Sequence, residues 1–244
     1  MPRGVMKRLS SSISDIFHQS KSKDAQESKL KSETGSGLHK AAAMGNLDLL
    51  KSLLDMCHSH VDCVDDGGDT ALHKASESAH RNCAKVLLEH GALVDKPNDC
   101  GSTPLHVACE RGNADMVLLL LQHNADPLIR NYAKRTPFDC ACEFGREKAL
   151  DCFFQSGLTP SSIIAAIPKE ELLKHSGKKS VTTGFHLAAK HGHLGVIAKL
   201  VLSDWPFNFL VPQGSAMHAA VIAGQLEMVR LLIHVSFTWS LTTD

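Results

Sequence analysis

Aromatic side chains are scarce in this chain of 244 residues: nine Phe, two Trp and one Tyr make up 5% of it. A β-sandwich leans on aromatic and β-branched residues, so this composition favours helices packed through Leu, Ala and Val. Long apolar runs are missing as well. The longest reaches from Met116 to Leu121, far short of the ~20 residues that a membrane-spanning helix needs. No apolar stretch follows the N-terminal Met-Pro-Arg-Gly and no Asn-x-Ser/Thr sequon occurs, so nothing points to secretion. Net charge is absent, because 26 Lys and Arg balance 26 Asp and Glu. That excludes a whole-chain polycation wrapped on nucleic acid and removes its sequence-independent phosphate term. The eight Cys (57, 63, 83, 100, 109, 140, 142, 152) lack disulfide-framework spacing and read as reduced thiols. The expected location is cytoplasmic, with the nucleus possible.

What the chain does have is an internal repeat. "GSGLHKAAAMGN" (35–46), "GDTALHKASESAHRN" (68–82), "GSTPLHVACERGN" (101–113), "KRTPFDCACEFGR" (134–146), "VTTGFHLAAKHGH" (181–193) and "GSAMHAAVIAGQ" (214–225) align on an anchor. The anchor is His39, His73, His106, Asp139, His186 and His218, spaced by 34, 33, 33, 47 and 32 residues. Six residues after each anchor stands Gly45, Ala79, Gly112, Gly145, Gly192 or Gly224, and a second apolar stripe follows, such as Leu49-Leu50-Leu53-Leu54 or Val196-Ile197-Leu200. Each unit reads as two helices. Thr or Ser at 36, 70, 103, 136, 183 and 215 is placed to cap the first, and Pro104 and Pro137 sit where a helix tolerates a missing N–H. Gly between the helices permits the positive φ of a chain reversal. Ala79 departs from that, so a strained or altered reversal is expected in repeat 2.

Thr103-Pro104-Leu105-His106-Val107-Ala108 matches the T-P-L-H-x-A hallmark of the ankyrin repeat letter for letter. The resemblance runs from about residue 35 to about 235. It implies an all-α solenoid of helix–turn–helix units with β-turn finger loops, in which the anchor His bridges neighbouring fingers. The organisation expected is a Ser/Lys-rich segment at 1–34, repeats 1–4 at 35–155, an insertion at 156–181 and repeats 5–6 at 182–244, the last incomplete. "RTPFDCACEFGREKALDCFF" further resembles the fourth repeat of the caskin and ankyrin–SAM adaptor families, which also lengthen the next connection. The SH3, SAM or phosphotyrosine-binding modules of those scaffolds do not occur in this chain.

Three segments depart from the repeat. The insertion, carrying "SSIIAAI" and the basic "KHSGKKS", reads either as a recognition loop or as a spacer that covers the flank between repeats 4 and 5. Beyond repeat 6, "LLIHVSFTWSLTTD" replaces a polar cap. Either Phe237 and Trp239 fold back over the end or the chain is a shortened form, the reading we favour. In 1–34 seven basic residues oppose four acidic ones. Val5, Met6, Leu9, Ile13, Ile16 and Phe17 at near-helical spacing leave open a docking helix, an N-terminal cap, a presequence or plain disorder.

Catalytic motifs are not found. Gly177-Lys178-Lys179-Ser180 lacks the upstream Gly of a phosphate loop, and G-x-G-x-x-G, H-E-x-x-H and G-x-S-x-G are absent. Cys57-His58-Ser59-His60-Val61-Asp62-Cys63 packs potential zinc ligands too tightly to wrap one ion, and Cys140 and Cys142 diverge on a helix. No metal and no cofactor is therefore expected, and no enzyme. The ankyrin resemblance instead implies a monomeric adaptor that holds a protein partner, with no nucleic acid and no membrane insertion. A regulatory or substrate-recognition subunit of an enzyme complex is the alternative. In such arrays partners meet finger tips and the ends of first helices, here Asp66, Asp69, Asp99, Tyr132 and Arg135, then Glu77, Glu110, Arg111, Glu143, Phe144, Lys190 and His191. This concave face is expected to grade from acidic near repeats 2 and 3 to aromatic and basic near 4 and 5, with Tyr132 and Phe144 as anchors.

Overall fold

The computed structural model describes residues 35–56, 61–159, 162–163, 183–203 and 215–242, with side chains as far as Ser236 in the last stretch. Helices pair in chain order: α1 (35–44) with α2 (Leu47–Met56), α3 (Ala71–Glu77) with α4 (Arg81–Glu89), and α5 (Pro104–Arg111) with α6 (Ala114–Gln122). Then come α7 (Pro137–Glu143) with α8 (Glu147–Gln155), α9 (Gly184–His191) with α10 (Leu194–Leu202), and α11 (Ala216–Ile222) with α12 (Leu226–Thr242). Among the described residues the β-type pairing is a single bridge, Val64 with Thr70, in a finger. First helices stack on first helices and second helices on second helices, so each unit is stabilised by its neighbours.

The anchor explains why the first helices begin where they do. Thr70, Thr103, Thr136, Thr183 and Ser215 precede α3, α5, α7, α9 and α11 in extended conformation. The anchor three residues on takes the part of Glu in a capping box. His73 Nδ1 accepts the Thr70 N–H at 3.1 Å, and His106 Nδ1 accepts the Thr103 N–H at 3.1 Å. Pro104 and Pro137 occupy the first helical position. Repeat 1 differs from the expectation: α1 is already helical at residue 35, so Ser36 lies exposed inside it rather than at its cap. His39 Nδ1 accordingly meets the Gly35 carbonyl oxygen at 2.7 Å.

The core is a double file. Leu38, Leu72, Leu105, Phe138 and Phe185 from the first helices are buried, as are Leu87, Leu120, Phe153 and Leu200 from the second. Phe138 meets Phe153 edge to face with centroids 5.8 Å apart, an arrangement that adds to area burial. Leu49, placed in the second stripe by the sequence, is exposed. The reversal at Ala79 is strained but not altered: its φ of 61° matches the left-handed turn that Gly112 makes at 78°, at a cost of about 1–2 kcal/mol for a residue with a Cβ.

The stack does not stop at the insertion. α7 packs against α9 and α8 against α10, as in neighbouring repeats. The insertion leaves repeat 4 through a reciprocal cap, Ser162 N–H to Thr159 Oγ1 and Thr159 N–H to Ser162 Oγ, both at 3.2 Å, and Ile163 enters the core. The rest of "SSIIAAI" and "KHSGKKS", the segment 1–34, most of the Cys57–Cys63 cluster and the side chains of Phe237 and Trp239 lie outside the described residues.

Candidate partner-binding face

The finger tips are held rigid by their own side chains. Asp65 Oδ1 accepts N–H groups from Gly67 and Asp69 at 2.9 Å, and Asn98 Oδ1 does the same for Cys100 at 3.0 Å and Ser102 at 2.9 Å. Such short-range Asx bonds fix a turn without a sheet. Burial opposes the Asp65 charge, yet Lys74 and the two backbone N–H groups hold its carboxyl at about 2. Lys74 lies 2.7 Å from Asp69 and 2.9 Å from Asp65, and although burial works against its charge these carboxylates raise it to about 12. Asp69 is therefore committed, to Lys74 on α3 and to Asn98 of the next finger, whose Nδ2 donates to its Oδ1 at 2.8 Å, whereas Asp66 and Asp99 stand exposed at the tips.

Successive fingers zip together. The N–H of Asp99 donates to the Gly67 carbonyl at 3.2 Å and that of Tyr132 to the Cys100 carbonyl at 3.0 Å. The anchors span the same gap one layer deeper. Nε2 of His39, His73 and His106 reaches the carbonyl oxygens of Asp69, Ser102 and Arg135 at 2.8, 2.9 and 3.0 Å. With Nδ1 of His73 and His106 accepting and Nε2 donating, each ring is neutral and fixed in one tautomer. Burial lowers the pKa of His73 and brings that of His106 down to about 4.

The line of first-helix ends is less simply graded than the sequence suggests, because its charges meet in pairs. Glu77 pairs with Arg111 of the next repeat, and Arg135 pairs with Glu143. Glu110 is half-buried; burial raises its carboxyl pKa against the pull of Arg111 and Arg135. His191 Nε2 approaches Glu143 at 3.8 Å. Burial first, then Lys190, His193 and Arg135, lowers the His191 pKa, so Arg135 is the principal partner of Glu143. Acidic and basic residues thus offset one another along the strip, leaving Lys190 exposed at its far end. Apolar groups exposed beside it include Tyr132, 73% exposed on the third finger, Phe144, 45% exposed at the end of α7, and Met44, 76% exposed at the end of α1.

Comparison with known proteins follows the same pattern. A family model described as ankyrin repeats matches three times, at residues 8–98, 38–131 and 92–162, together well over half the chain. The chain belongs to the ankyrin-repeat family. Its structure is similar to the crystal structure of the human ASB11 ankyrin repeat domain, at 26% identity and a TM-score of 0.62, over 81% of this chain and 82% of that one. Among curated proteins it is similar to the 26S proteasome non-ATPase regulatory subunit 10 of Dictyostelium discoideum, 43% identical over 55 residues. That match spans 22% of this chain and 24% of the relative, about a quarter of its length.

Two features of this ankyrin-repeat array escaped the sequence reading. The first is a second ladder behind the anchors. His80 Nε2 reaches the Ala43 carbonyl at 3.0 Å, Asn113 Nδ2 that of Ser76 at 2.9 Å, Arg146 Nε that of Glu110 at 3.0 Å and His193 Nε2 that of Glu143 at 2.7 Å. A polar residue directly after each reversal was its only signal. The second is the joint at Asp139. This buried carboxylate accepts the Thr136 N–H at 3.0 Å and the Thr136 hydroxyl at 2.9 Å, and also the N–H of Gly184 across the insertion. Burial raises its pKa. Repeats 3 and 4 have Pro at the position of Gly184 and so have no N–H to give. Donor to carbonyl has become acceptor from amide, with both partners changed together. Among the described residues no cluster of His, Cys, Asp and Glu suits a metal ion, and no helix is long and apolar enough to cross a membrane.

Proposed function

We propose that this chain is a non-catalytic adaptor that holds a protein partner against its first-helix face, mainly around repeats 3 to 5. The observation that carries the reading is the pairing of charges along that face. A strip whose Glu and Arg residues already satisfy one another gives little net attraction, since exposed pairs contribute about 0–1 kcal/mol. Binding energy then falls to uncommitted apolar groups, above all the aromatic Tyr132 and Phe144, as interfaces concentrate it in a few aromatic and Arg side chains. Lys190, His191, Asp66 and Asp99 set the approach and register of the partner. Ankyrin repeats are a protein-interaction module, which supports a protein as the partner; an adaptor of the caskin or ankyrin–SAM kind and a cytoplasmic location belong to the same proposal.

A second reading is favoured by one comparison. The likeness to a proteasome regulatory subunit supports a regulatory or substrate-recognition part of an enzyme complex, using the same face. Affinity capture from cell extract with wild-type chain and a Tyr132→Ala/Phe144→Ala variant of equal thermal stability tests both. Selective loss of partners from the variant supports binding through repeats 4 and 5. If those partners are subunits of one enzyme complex, the second reading holds. Unchanged partners overturn the assignment of the face.

A further inference from the structure

The ion pairs of the first-helix face leave its bases more exposed than its acids. Four residues after the anchor, repeats 2, 3 and 4 carry Glu77, Glu110 and Glu143, and all three are half-buried. Arg111 is 56% exposed against 40% for its partner Glu77, and Arg135 30% against 13% for Glu143. Glu110 feels both Arg111 and Arg135, yet burial pulls it toward its neutral form. In repeat 5 the same register holds the exposed Lys190, followed by His191 at 41%. A second register adds a further base. Seven residues after the anchor stand Asn46, His80, Asn113, Arg146, His193 and Gln225, of which Arg146 alone carries a fixed charge. Arg146 lies over Gly112, donates Nε to the Glu110 carbonyl and is exposed. Among the described residues neither Arg146 nor Lys190 forms an ion pair with a carboxylate.

We propose, resting on the reading of the first-helix face as the binding surface, that over repeats 3 to 5 it takes an acidic peptide segment. The carboxylates of that segment lie toward Arg111, Arg146 and Lys190, and its apolar side chains lie on Tyr132 and Phe144. An approaching chain meets guanidinium and ammonium groups before it meets the recessed carboxylates, so the field at the surface is positive even where the pairs cancel in number. Apolar and basic groups share one patch: Phe144 follows Glu143 at the end of α7, and the Arg135 bridge to Glu143 ties that end to the finger carrying Tyr132. The exposed acids Asp66 and Asp99 stand on the two preceding fingers. They repel carboxylates there and confine the acidic part of the segment to the far side of Tyr132. A nucleic acid fits less well, because bases interleaved with carboxylates offer no continuous run of phosphate contacts.

The test selects a phage-displayed library of random peptides, each of about 16 residues, on the full chain. Recovered peptides are expected to be rich in Asp and Glu around Phe, Trp or Leu. Binding of a synthetic copy, followed by fluorescence anisotropy, should weaken about tenfold in Arg146→Gln/Lys190→Glu and about tenfold in Tyr132→Ala/Phe144→Ala. It should also weaken as NaCl rises from about 50 to about 500 mM. Gln keeps an amide donor for the Glu110 carbonyl and Lys190 is exposed, so the charge variant should keep the wild-type circular dichroism melt; Lys190→Glu alone, at about threefold, replaces it if the melt shifts. Peptides without an acidic bias that are lost in Tyr132→Ala/Phe144→Ala overturn the acidic occupant and leave the binding face standing. Acidic peptides indifferent to both double variants overturn the occupant and the face together. Recovery of no peptide overturns the proposal. So does a single-stranded oligonucleotide bound more tightly than the peptide through the same bases, which would make phosphate the ligand.

Discussion

The joint between repeats 3 and 4 and the joint between repeats 4 and 5 perform one task with opposite chemistry. In the first, His106 donates to the Arg135 carbonyl, and the fingers zip through Tyr132 and Cys100. In the second, the connecting chain is 14 residues longer, judged by an anchor spacing of 47 against 33, and Asp139 accepts from the Gly184 amide. The helix-level contacts are common to both: Arg146 and His193 reach back to carbonyls, and Lys199 adds an ion pair with Asp151 at 2.6 Å. Register in this array is therefore held by helix packing and by matched donor–acceptor pairs. A connection longer by 14 residues leaves the stack of first helices in one piece.

The largest effects should come from the packed rings. Phe138→Ala and Phe185→Ala occupy the same register on the two sides of the insertion, and both are fully buried. Each is expected to cost about 3–5 kcal/mol in denaturant unfolding. A Phe185→Ala cost below half that of Phe138→Ala would break the equivalence of the joints.

Next come the anchors. His106→Ala strands the Thr103 N–H and the Arg135 carbonyl, and Asp139→Ala strands the Gly184 N–H; each should cost about 1–3 kcal/mol. Asp139→Asn keeps an acceptor and should cost less than Asp139→Ala, which urea unfolding of the pair resolves.

Acid should separate the joints by sign. The folded pKa values of His73 and His106 lie below the ordinary 6.5, that of His106 at about 4, so the unfolded chain binds more protons between these limits. Their contribution is complete above 6.5 and is lost as pH falls toward about 4. The raised Asp139 carboxyl works the other way, since its folded form favours the proton. Hydrogen exchange at pH 7 and pH 5 should show α5 losing protection with acid more than α9 does, and His106→Gln should flatten the difference.

Ala79→Gly, which relieves a left-handed Cβ, should raise stability by about 1 kcal/mol, read as a higher melting temperature. The smallest change belongs to the exposed pair: Glu77→Gln should shift stability by under about 1 kcal/mol, measured in the same way.

How much of this could be read in the sequence follows from how local each feature is. Thr103 to Ala108 spells out a cap, a first-turn proline and an anchor within six residues, so the helix pairs and the role of the His anchors were legible. Ala79 was legible as an oddity, but not that its turn survives unchanged, with Asn113 of the next repeat bonding the nearby Ser76 carbonyl. The charges of the candidate face were visible too. Their cancellation was not, because Glu77 with Arg111 and Arg135 with Glu143 become neighbours only through stacking and turn geometry. Asp139 and Gly184 each looked like a lapse from the repeat. Only together are they a hydrogen bond.

The continuity of the stack across the insertion is tested most directly by the exchange of a single amide, that of Gly184, followed by NMR. The structure predicts strong protection in the wild-type chain at pH 7, and loss of that protection in Asp139→Ala while the amides of α7 stay slow. Fast exchange of Gly184 in the wild-type chain would contradict it, separating repeats 5 and 6 from the rest and dividing the proposed binding face in two.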